Sequence, residues 1–272
     1  MRLQKYQALG NDFLILLDVE GAQPIDADLA RAVCHRHKGA GADGLIRVTA
    51  GGPAVEGADV TMELRNADGS RAETSGNGLR CVARAVVDAG VVAGPWVVVA
   101  TDAGHRRASL GEGDLVAVEM GVARVEPLPA EFSAPAQGAA RAQSPAQGAA
   151  RAQAGVAVDL GNPHLVLLDD GTSELEALGR TYPTTNVELI TAGPGAGELT
   201  MRVWERGVGE TEACGSGACA AAAAAAGWGL VGERTVVHQR GGDVVVDLAG
   251  DTIVLTGPAQ SVCVVELPEG TR

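Results

Sequence analysis

Short apolar runs recur along the whole chain, and most are bounded by Gly, Pro or Asp. Runs of this length, rich in Val, Ile and Leu and closed by turn residues, are typical of β-strands. The pattern therefore predicts a chain dominated by sheet. The predicted strands are DFLILLD, VTMEL, WVVVAT, LVAVEM, HLVLLD, NVELI, LTMRVW, TVVHQ, DVVVDL, TIVLT and VCVVEL.

Two helices are predicted, over 78–89 and 217–226, and each follows a Gly-x-Gly segment. The second is nearly pure alanine, the residue with the highest helix propensity. A helix that is small and apolar on every side is more typical of a buried position than of a surface. We therefore expect the alanine helix to be a buried central helix with strands around it.

The order of strands, helix and strands occurs twice, which indicates an internal duplication. ELRNADGSRAETSGNGLRCVARAVVDAG in the first half corresponds to RVWERGVGETEACGSGACAAAAAAAGWG in the second. We expect two similar domains that face each other, over 1–120 and 121–272, with the last strand packing on the first domain. Between them, PAQGAARAQ occurs twice within 135–153, so a flexible low-complexity insertion is expected near 133–155.

Composition and charge exclude several classes of protein. Hydrophobic residues make up 46% of the 272 residues and aromatic ones 3%, so the core must consist of Ala, Val and Leu. The net charge of −13, without a basic run, argues against nucleic acid and anionic membranes as partners. The five cysteines include no CxxC pair, so neither a zinc site nor a disulfide framework is indicated. FLILL is too short for a signal sequence and 218–226 for a membrane span, so a cytoplasmic setting is expected.

The two matched turns carry the candidate chemistry. Cys214 precedes Gly-x-Gly at a helix start, and Ser75 stands at the same place in the first half. Backbone N–H groups and the helix dipole at such a position lower the pKa of a cysteine from about 8.5 to about 3.5–7.5. The glycines let a carboxylate approach the amides of the helix start. This combination suits proton removal beside a carboxylate, although a buried structural cysteine in a tight turn is the alternative.

If the two turns face each other across one cleft, each presents a proton donor or acceptor to one face of a carbon atom, as stereochemical inversion requires. Nucleotide-binding alternatives fail, because the chain has no GxxxxGK[ST] and neither turn completes GxGxxG. A cysteine–histidine hydrolase would need a histidine beside Cys214. His164 in GNPH is available, but nothing else in the sequence assigns it that role.

Motifs along nearly the whole chain resemble those of the diaminopimelate epimerase family, a group of cofactor-independent two-cysteine amino-acid racemases and epimerases. They are LGNDFLILLD, GADGL, NADGSRAETSGNGLRC, GNPH, TNVEL and RVWERGVGETEACGSGACAA. The resemblance implies an α/β (α+β) fold of two pseudo-symmetric domains, each a curled, mostly antiparallel sheet around a central helix. It implies no pyridoxal phosphate, no metal and no other cofactor, diaminopimelate as substrate in lysine and peptidoglycan precursor biosynthesis, and a homodimer.

The resemblance also implies roles for individual residues. Cys214 matches one of the two acid/base thiols and Ser75 stands at the other, while His164 and Glu205 match residues that support proton transfer. Glu205 and Arg206 match the pair that holds the charged groups of the substrate. The remaining matches to substrate-binding positions are Asn11, Asn66, Gly76, Asn77, Asn162, Asn186, Gly215 and Ser216.

Two positions depart from the family pattern. Gly44 in GADG stands where a glutamine side chain would reach the distal part of the substrate. Ser75 carries a hydroxyl that is far harder to ionise than a thiol. Three explanations of Ser75 are open: an introduced Cys→Ser change, a natural variant that still epimerises, or a reaction that needs one base. A one-base dehydratase, a different racemase and a catalytically silent amino-acid-binding protein are therefore the alternative functions.

Overall fold

The computed structural model describes residues 1–51, 57–72, 75–128, 155–171 and 173–268. The predicted insertion near 133–155 lies outside these ranges, apart from Gly155 at the start of a strand. No helix in the described part of the chain is long and apolar enough to cross a membrane.

The described residues form four helices and a large set of strands. The helices are α1 (Ala27–Cys34), α2 (Gly76–Asp88), α3 (Leu175–Thr181) and α4 (Gly215–Gly227). The strands of the first half are β1 (Arg2–Ala8), β2 (Asn11–Leu17), β3 (Gly44–Ala50), β4 (Val60–Asn66), β5 (Arg71–Ala72), β6 (Trp96–Thr101), β7 (Gly104–Leu110) and β8 (Leu115–Gly121). The others are β9 (Arg124–Pro127), β10 (Gly155–Asp159), β11 (Pro163–Leu168), β12 (Asn186–Ala192), β13 (Leu199–Glu205), β14 (Gly209–Glu210), β15 (Arg234–Gln239), β16 (Gly242–Asp247), β17 (Ile253–Pro258) and β18 (Gln260–Glu266).

Every segment predicted as a strand forms one, and both predicted helices are present. The helices start two residues earlier than predicted, because the side chains of Ser75 and Cys214 cap them. Helix α1 was not predicted; it begins where the side chain of Asp26 accepts a hydrogen bond from the amide of Leu29. Helix α3 was also missed, since its seven residues give too short a periodic pattern.

The strand pairing repeats between the halves. Strands β2 and β3 run parallel, as do β11 and β12, and the parallel pair β4–β6 matches β13–β15. The antiparallel pair β8–β17 joins the halves, and the last strand, β18, returns to pair with β1. The predicted fold class, two pseudo-symmetric halves of mostly antiparallel sheet, is confirmed. The domain limits at 120 and 121 stay a prediction.

A long helix lies inside each half of the sheet. Helix α2 packs against β1, β2 and β6–β8, and α4 packs against β10–β13 and β15–β17. The side chains of 218–222 in α4 are fully buried, which confirms the prediction that the alanine helix is a buried central helix. The two helices contact each other, and their starts meet in the interior of the molecule.

Candidate active site

The two helix starts have the same local structure. Ser75 and Cys214 are the N-caps of α2 and α4, and both have extended backbones. The Ser75 hydroxyl accepts a hydrogen bond from the amide of Gly78 at 3.0 Å, and the Cys214 sulfur accepts one from the amide of Gly217 at 3.4 Å. The duplicated sequence therefore produces duplicated geometry, with a hydroxyl in one copy and a thiol in the other.

The helix starts meet at Gly76 and Gly215. A Cβ atom added to Gly215 would lie 3.2 Å from the Cα atom of Gly76 and 2.9 Å from Leu255. Only residues without side chains permit this approach of two backbones. Amides in the first turn of a helix have no partner within the helix, so the two starts together offer N–H donors for a carboxylate.

The electrostatic surroundings of Cys214 correct one prediction from the sequence. A pKa lowered by the helix start was expected, but burial raises the pKa of the Cys214 thiol well above its usual value, and the charges of Glu205 and Glu188 raise it further. The hydroxyl of Ser216, 3.6 Å from the sulfur, and the amide of Gly217 act in the opposite direction. Burial disfavours the charged form more strongly than a helix start favours it. The surroundings of Cys214 therefore favour the thiol over the thiolate.

Glu205 is the carboxylate that can take the proton of this thiol. Its Oε1 accepts a hydrogen bond from the hydroxyl of Thr211 at 2.6 Å. Burial raises the pKa of Glu205, while the hydrogen bond from Thr211 and the interaction with Cys214 lower it. Glu205 and Cys214 thus form a buried acid–base pair in which both groups are shifted toward their protonated forms.

A second buried pair, His164 and Glu188, lies behind Cys214. The ring Nδ1 of His164 is 2.6 Å from Oε1 of Glu188, and its Nε2 is 3.1 Å from Oδ1 of Asn162. The amide nitrogen of Asn162 donates to the hydroxyl of Ser216 at 3.2 Å. A hydrogen-bonded path therefore runs from Glu188 through His164, Asn162 and Ser216 to the thiol.

Glu188 was not predicted from the sequence, although it is fully buried beside the site. A Cβ atom on Gly217 would lie 2.7 Å from its Oε1. The available signal was the TNVEL segment, in which Asn186 and Glu188 are two residues apart on one strand and so point to the same side. A carboxylate inside an apolar strand is rare enough to indicate a function.

Asn77 joins the two halves at the site. Its amide nitrogen donates to the carbonyl of Ala213 at 3.0 Å and to Oδ1 of Asn11 at 3.1 Å. Ala213 immediately precedes Cys214, so this side chain on α2 holds the turn that starts α4. The structure thus brings together the matched residues Asn11, Asn77 and Cys214.

The other matched residues lie where strands begin or end: Asn186 begins β12, Asn66 ends β4 and Arg206 follows β13. Asn186 accepts a hydrogen bond from the amide of Arg206 at 2.8 Å, so it shapes the loop that carries the arginine. Arg206 is exposed, and within the described residues its guanidinium forms no ion pair. Asn66 donates to the hydroxyl of Ser70 at 3.0 Å, and in the described ranges its side chain has no hydrogen bond to the residues around Cys214. Their roles in binding stay predictions.

Gly44 is enclosed rather than open. A Cβ atom there would lie 3.0 Å from the carbonyl oxygen of Arg65, 3.1 Å from Phe13 and 3.2 Å from Leu64. A longer side chain at this position would have to displace these neighbours. Within the described residues, no group of three or more His, Cys, Asp or Glu side chains is placed to hold a metal ion.

Comparison with known proteins gives consistent matches along the chain. The family model for diaminopimelate epimerase matches residues 3–126 and 156–262. The diaminopimelate epimerase of Desulfitobacterium hafniense is 38% identical over 278 residues, 95% of each chain, and that of Pelotomaculum thermopropionicum is 38% identical over the full length of both. Among solved structures, a hydroxyproline epimerase from Agrobacterium vitis superposes with a TM-score of 0.69 at 17% identity, covering 97% of this chain and 91% of that one. That last likeness is one of fold.

Proposed function

Since the chain belongs to the diaminopimelate epimerase family, we propose that it inverts one α-carbon of diaminopimelate, interconverting the LL and meso forms. The observation that carries the proposal is the meeting of two equivalent helix starts at Gly76 and Gly215, capped by Ser75 and Cys214. A carbon atom held between the starts would have one of these side chains on each face.

Binding would use the donors at the helix starts. The α-carboxylate lies against the first-turn amides, where the helix dipoles stabilise its charge and the enolate character that develops when the α-proton leaves. The exposed guanidinium of Arg206 is free to hold the distal carboxylate with two parallel hydrogen bonds. Both contacts select a substrate with two widely separated carboxylates.

Proton transfer on the Cys214 side takes two steps. Glu205 first accepts the proton from the thiol, which leaves a thiolate and a neutral carboxylic acid. The thiolate then takes the proton from the α-carbon, and the electron pair of the broken C–H bond moves into the carboxylate of the substrate. Burial disfavours both the thiolate of Cys214 and the carboxylate of Glu205. Moving one proton between the two groups leaves the net charge of the site unchanged.

Return of a proton on the opposite face falls to Ser75. Its hydroxyl accepts from the amide of Gly78, so its own proton is available to the cleft. An alkoxide is far less stable than a thiolate, so Ser75 donates poorly. We infer that exchange of the α-proton, driven by Cys214, is faster than net inversion in this chain.

The test follows the α-proton and the stereochemistry together. LL-diaminopimelate is incubated with the protein in deuterium oxide, and NMR and chiral chromatography report exchange and inversion. Ser75→Cys should raise the inversion rate by about 10²–10⁴-fold, the usual contribution of a positioned acid or base. Cys214→Ser should abolish both processes, whereas Cys263→Ser, which removes an exposed thiol from β18, should change neither.

Other outcomes would favour other functions. If Ser75→Cys left inversion unchanged while diaminopimelate still bound, one-base chemistry would be the better account, and release of a keto acid from a hydroxyamino acid would identify a dehydratase. Binding without any exchange would indicate a silent binding protein. Loss of activity on dialysis against a chelator, restored by a metal, would refute metal independence.

The setting proposed for this activity is lysine and peptidoglycan precursor biosynthesis in the cytoplasm, by a homodimer. All five cysteines are free thiols, which suits a reducing compartment. The edge strand β18 exposes about half of the side-chain surface of Val262 and Val264, an apolar edge that a second copy would cover. Light scattering of the purified protein gives the oligomeric state directly, and a mass of one chain would refute the dimer.

A further inference from the structure

Four side chains form a continuous row of hydrogen bonds that ends beside the helix starts. Oδ2 of Asp43 accepts from Nδ2 of Asn11 at 2.8 Å, and Oδ1 of Asn11 accepts from Nδ2 of Asn77 at 3.1 Å. Oδ1 of Asn77 then accepts from Nη2 of Arg80 at 2.8 Å. We call this row, Asp43–Asn11–Asn77–Arg80, the amide chain.

The two ends of the amide chain determine the orientation of both amides between them. A carboxylate only accepts hydrogen bonds and a guanidinium only donates them. Asp43 therefore requires the nitrogen of Asn11 on its side, and Arg80 requires the oxygen of Asn77 on its side. An exposed asparagine can turn its amide over at little cost. Here, a turned amide would place a donor against a donor or an acceptor against an acceptor.

The orientation of Asn77 also decides how the two halves are joined. Both of its N–H donors are used, one by Asn11 and one by the carbonyl of Ala213. If the amide turned over, its oxygen would face two acceptors, and its nitrogen would face Arg80. Such unpaired buried groups cost about 1–3 kcal/mol each, so the turned state is rarely populated.

Arg80 is a charged residue at a position that the fold can fill without a charge. It is fully buried, and burial lowers its pKa to about 10. Its Nη1 has no hydrogen-bond partner in the described part of the chain, and its Nε donates to the carbonyl of Pro258 at a long 3.3 Å. The equivalent position in α4, five residues after Cys214, is Cys219, so the duplicated fold packs this position without a charge.

We propose that Asp43 and Arg80 are positioning residues, which fix the amides of Asn11 and Asn77 by closing the amide chain with an acceptor-only and a donor-only group. With one N–H of Asn11 bonded to Asp43, its second N–H can donate to an acceptor such as a substrate carboxylate. Asn77 holds the Ala213 carbonyl and thereby the position of Cys214. The part of the inference that concerns substrate rests on the proposed function.

The first experiment needs no substrate. In the ligand-free protein, NMR should show slow hydrogen exchange for both side-chain N–H protons of Asn77, because each is buried and bonded. In Arg80→Gln, the new side chain can accept as well as donate, so the amide of Asn77 can turn over. Its protection from exchange should then fall by about tenfold or more, as expected for one lost buried hydrogen bond. Arg80→Lys keeps a donor-only end and should retain most of it. Equal loss in both variants would overturn the orienting role and leave only packing.

The second experiment measures diaminopimelate binding by calorimetry. Asp43→Asn has the same shape but can donate, so affinity should fall by about tenfold. The control is Arg36→Gln, which removes the 2.7 Å ion pair on the other oxygen of Asp43, together with the 2.8 Å ion pair to Asp12, and keeps all three hydrogen bonds of the amide chain. Unchanged affinity in Asp43→Asn, or an equal fall in Arg36→Gln, would overturn the proposal. If the parent chain itself bound no diaminopimelate, the proposed function would fail, while the exchange experiment would still decide the amide chain.

Discussion

Replacing Gly215 by alanine tests whether the meeting of the helix starts makes the site. The added methyl group would lie 3.2 Å from the Cα atom of Gly76 and 2.9 Å from a methyl of Leu255. Leu255 can change its rotamer, but the Gly76 backbone can move only if one helix start shifts away from the other. The perturbation therefore acts on the spacing of the two starts.

The expected loss of stability is small and the expected loss of function is larger. Overpacking costs about 1–3 kcal/mol, and alanine for glycine in a helix returns at most about 1 kcal/mol. A net loss of about 0–3 kcal/mol lowers the melting temperature by at most about 12 °C for a protein of this size. A displacement approaching 1 Å at reacting groups costs about 100-fold in rate, so exchange of the α-proton should fall far more than stability does.

The control is Gly227→Ala at the other end of the same helix. Nothing lies within 4 Å of a Cβ atom there, and the backbone conformation suits any residue. This variant should keep activity and gain up to about 1 kcal/mol. Thermal unfolding, calorimetry with meso-diaminopimelate and deuterium exchange are measured on both. If Gly215→Ala retained the exchange rate and affinity of the parent, close approach of the helix starts would not be what makes the site.

Three further predictions concern charge. Glu188→Gln removes a charge that raises the pKa of the Cys214 thiol. In a pH titration, the ultraviolet absorbance of the thiolate should therefore appear at lower pH, and an unchanged titration midpoint would contradict this. Arg206→Lys loses a two-bond grip on a carboxylate, so calorimetry should show affinity about tenfold weaker or more; an unchanged affinity would remove Arg206 from the site. Hydrogen bonds to Glu198 and a second carboxylate raise the pKa of His238. The protonated ring therefore stabilises the fold fully below about pH 6.5, and this stabilisation is lost as pH rises through the folded-state pKa. Denaturant unfolding of His238→Gln should show a flatter dependence on pH above about 6.5, and parallel profiles would refute the assignment.

The sequence alone predicted eleven of the eighteen strands in the described residues, the two long helices and the duplication, because these depend on local patterns. Apolar runs between turn residues need no knowledge of the partner strand. The alanine run could only be a buried helix, and two matching turns with small nucleophiles showed where to look for chemistry. Elements with weak local patterns escaped: α3 is short, and β7 (GHRRASL) is polar along most of its length.

Tertiary structure decided the electrostatics and the connections of the site. The position of Cys214 at a helix start predicted a thiolate, but the pKa of a buried group depends on all the charges around it, and Glu205 and Glu188 come from other strands. The resemblance matched Asn11 and Asn77 one by one, yet the hydrogen bond between them joins residues 66 positions apart, and Asp43 and Arg80 are bonded at either end. Hydrogen bonds between distant segments depend on how the two long helices pack inside the sheet. No local sequence pattern specifies that packing.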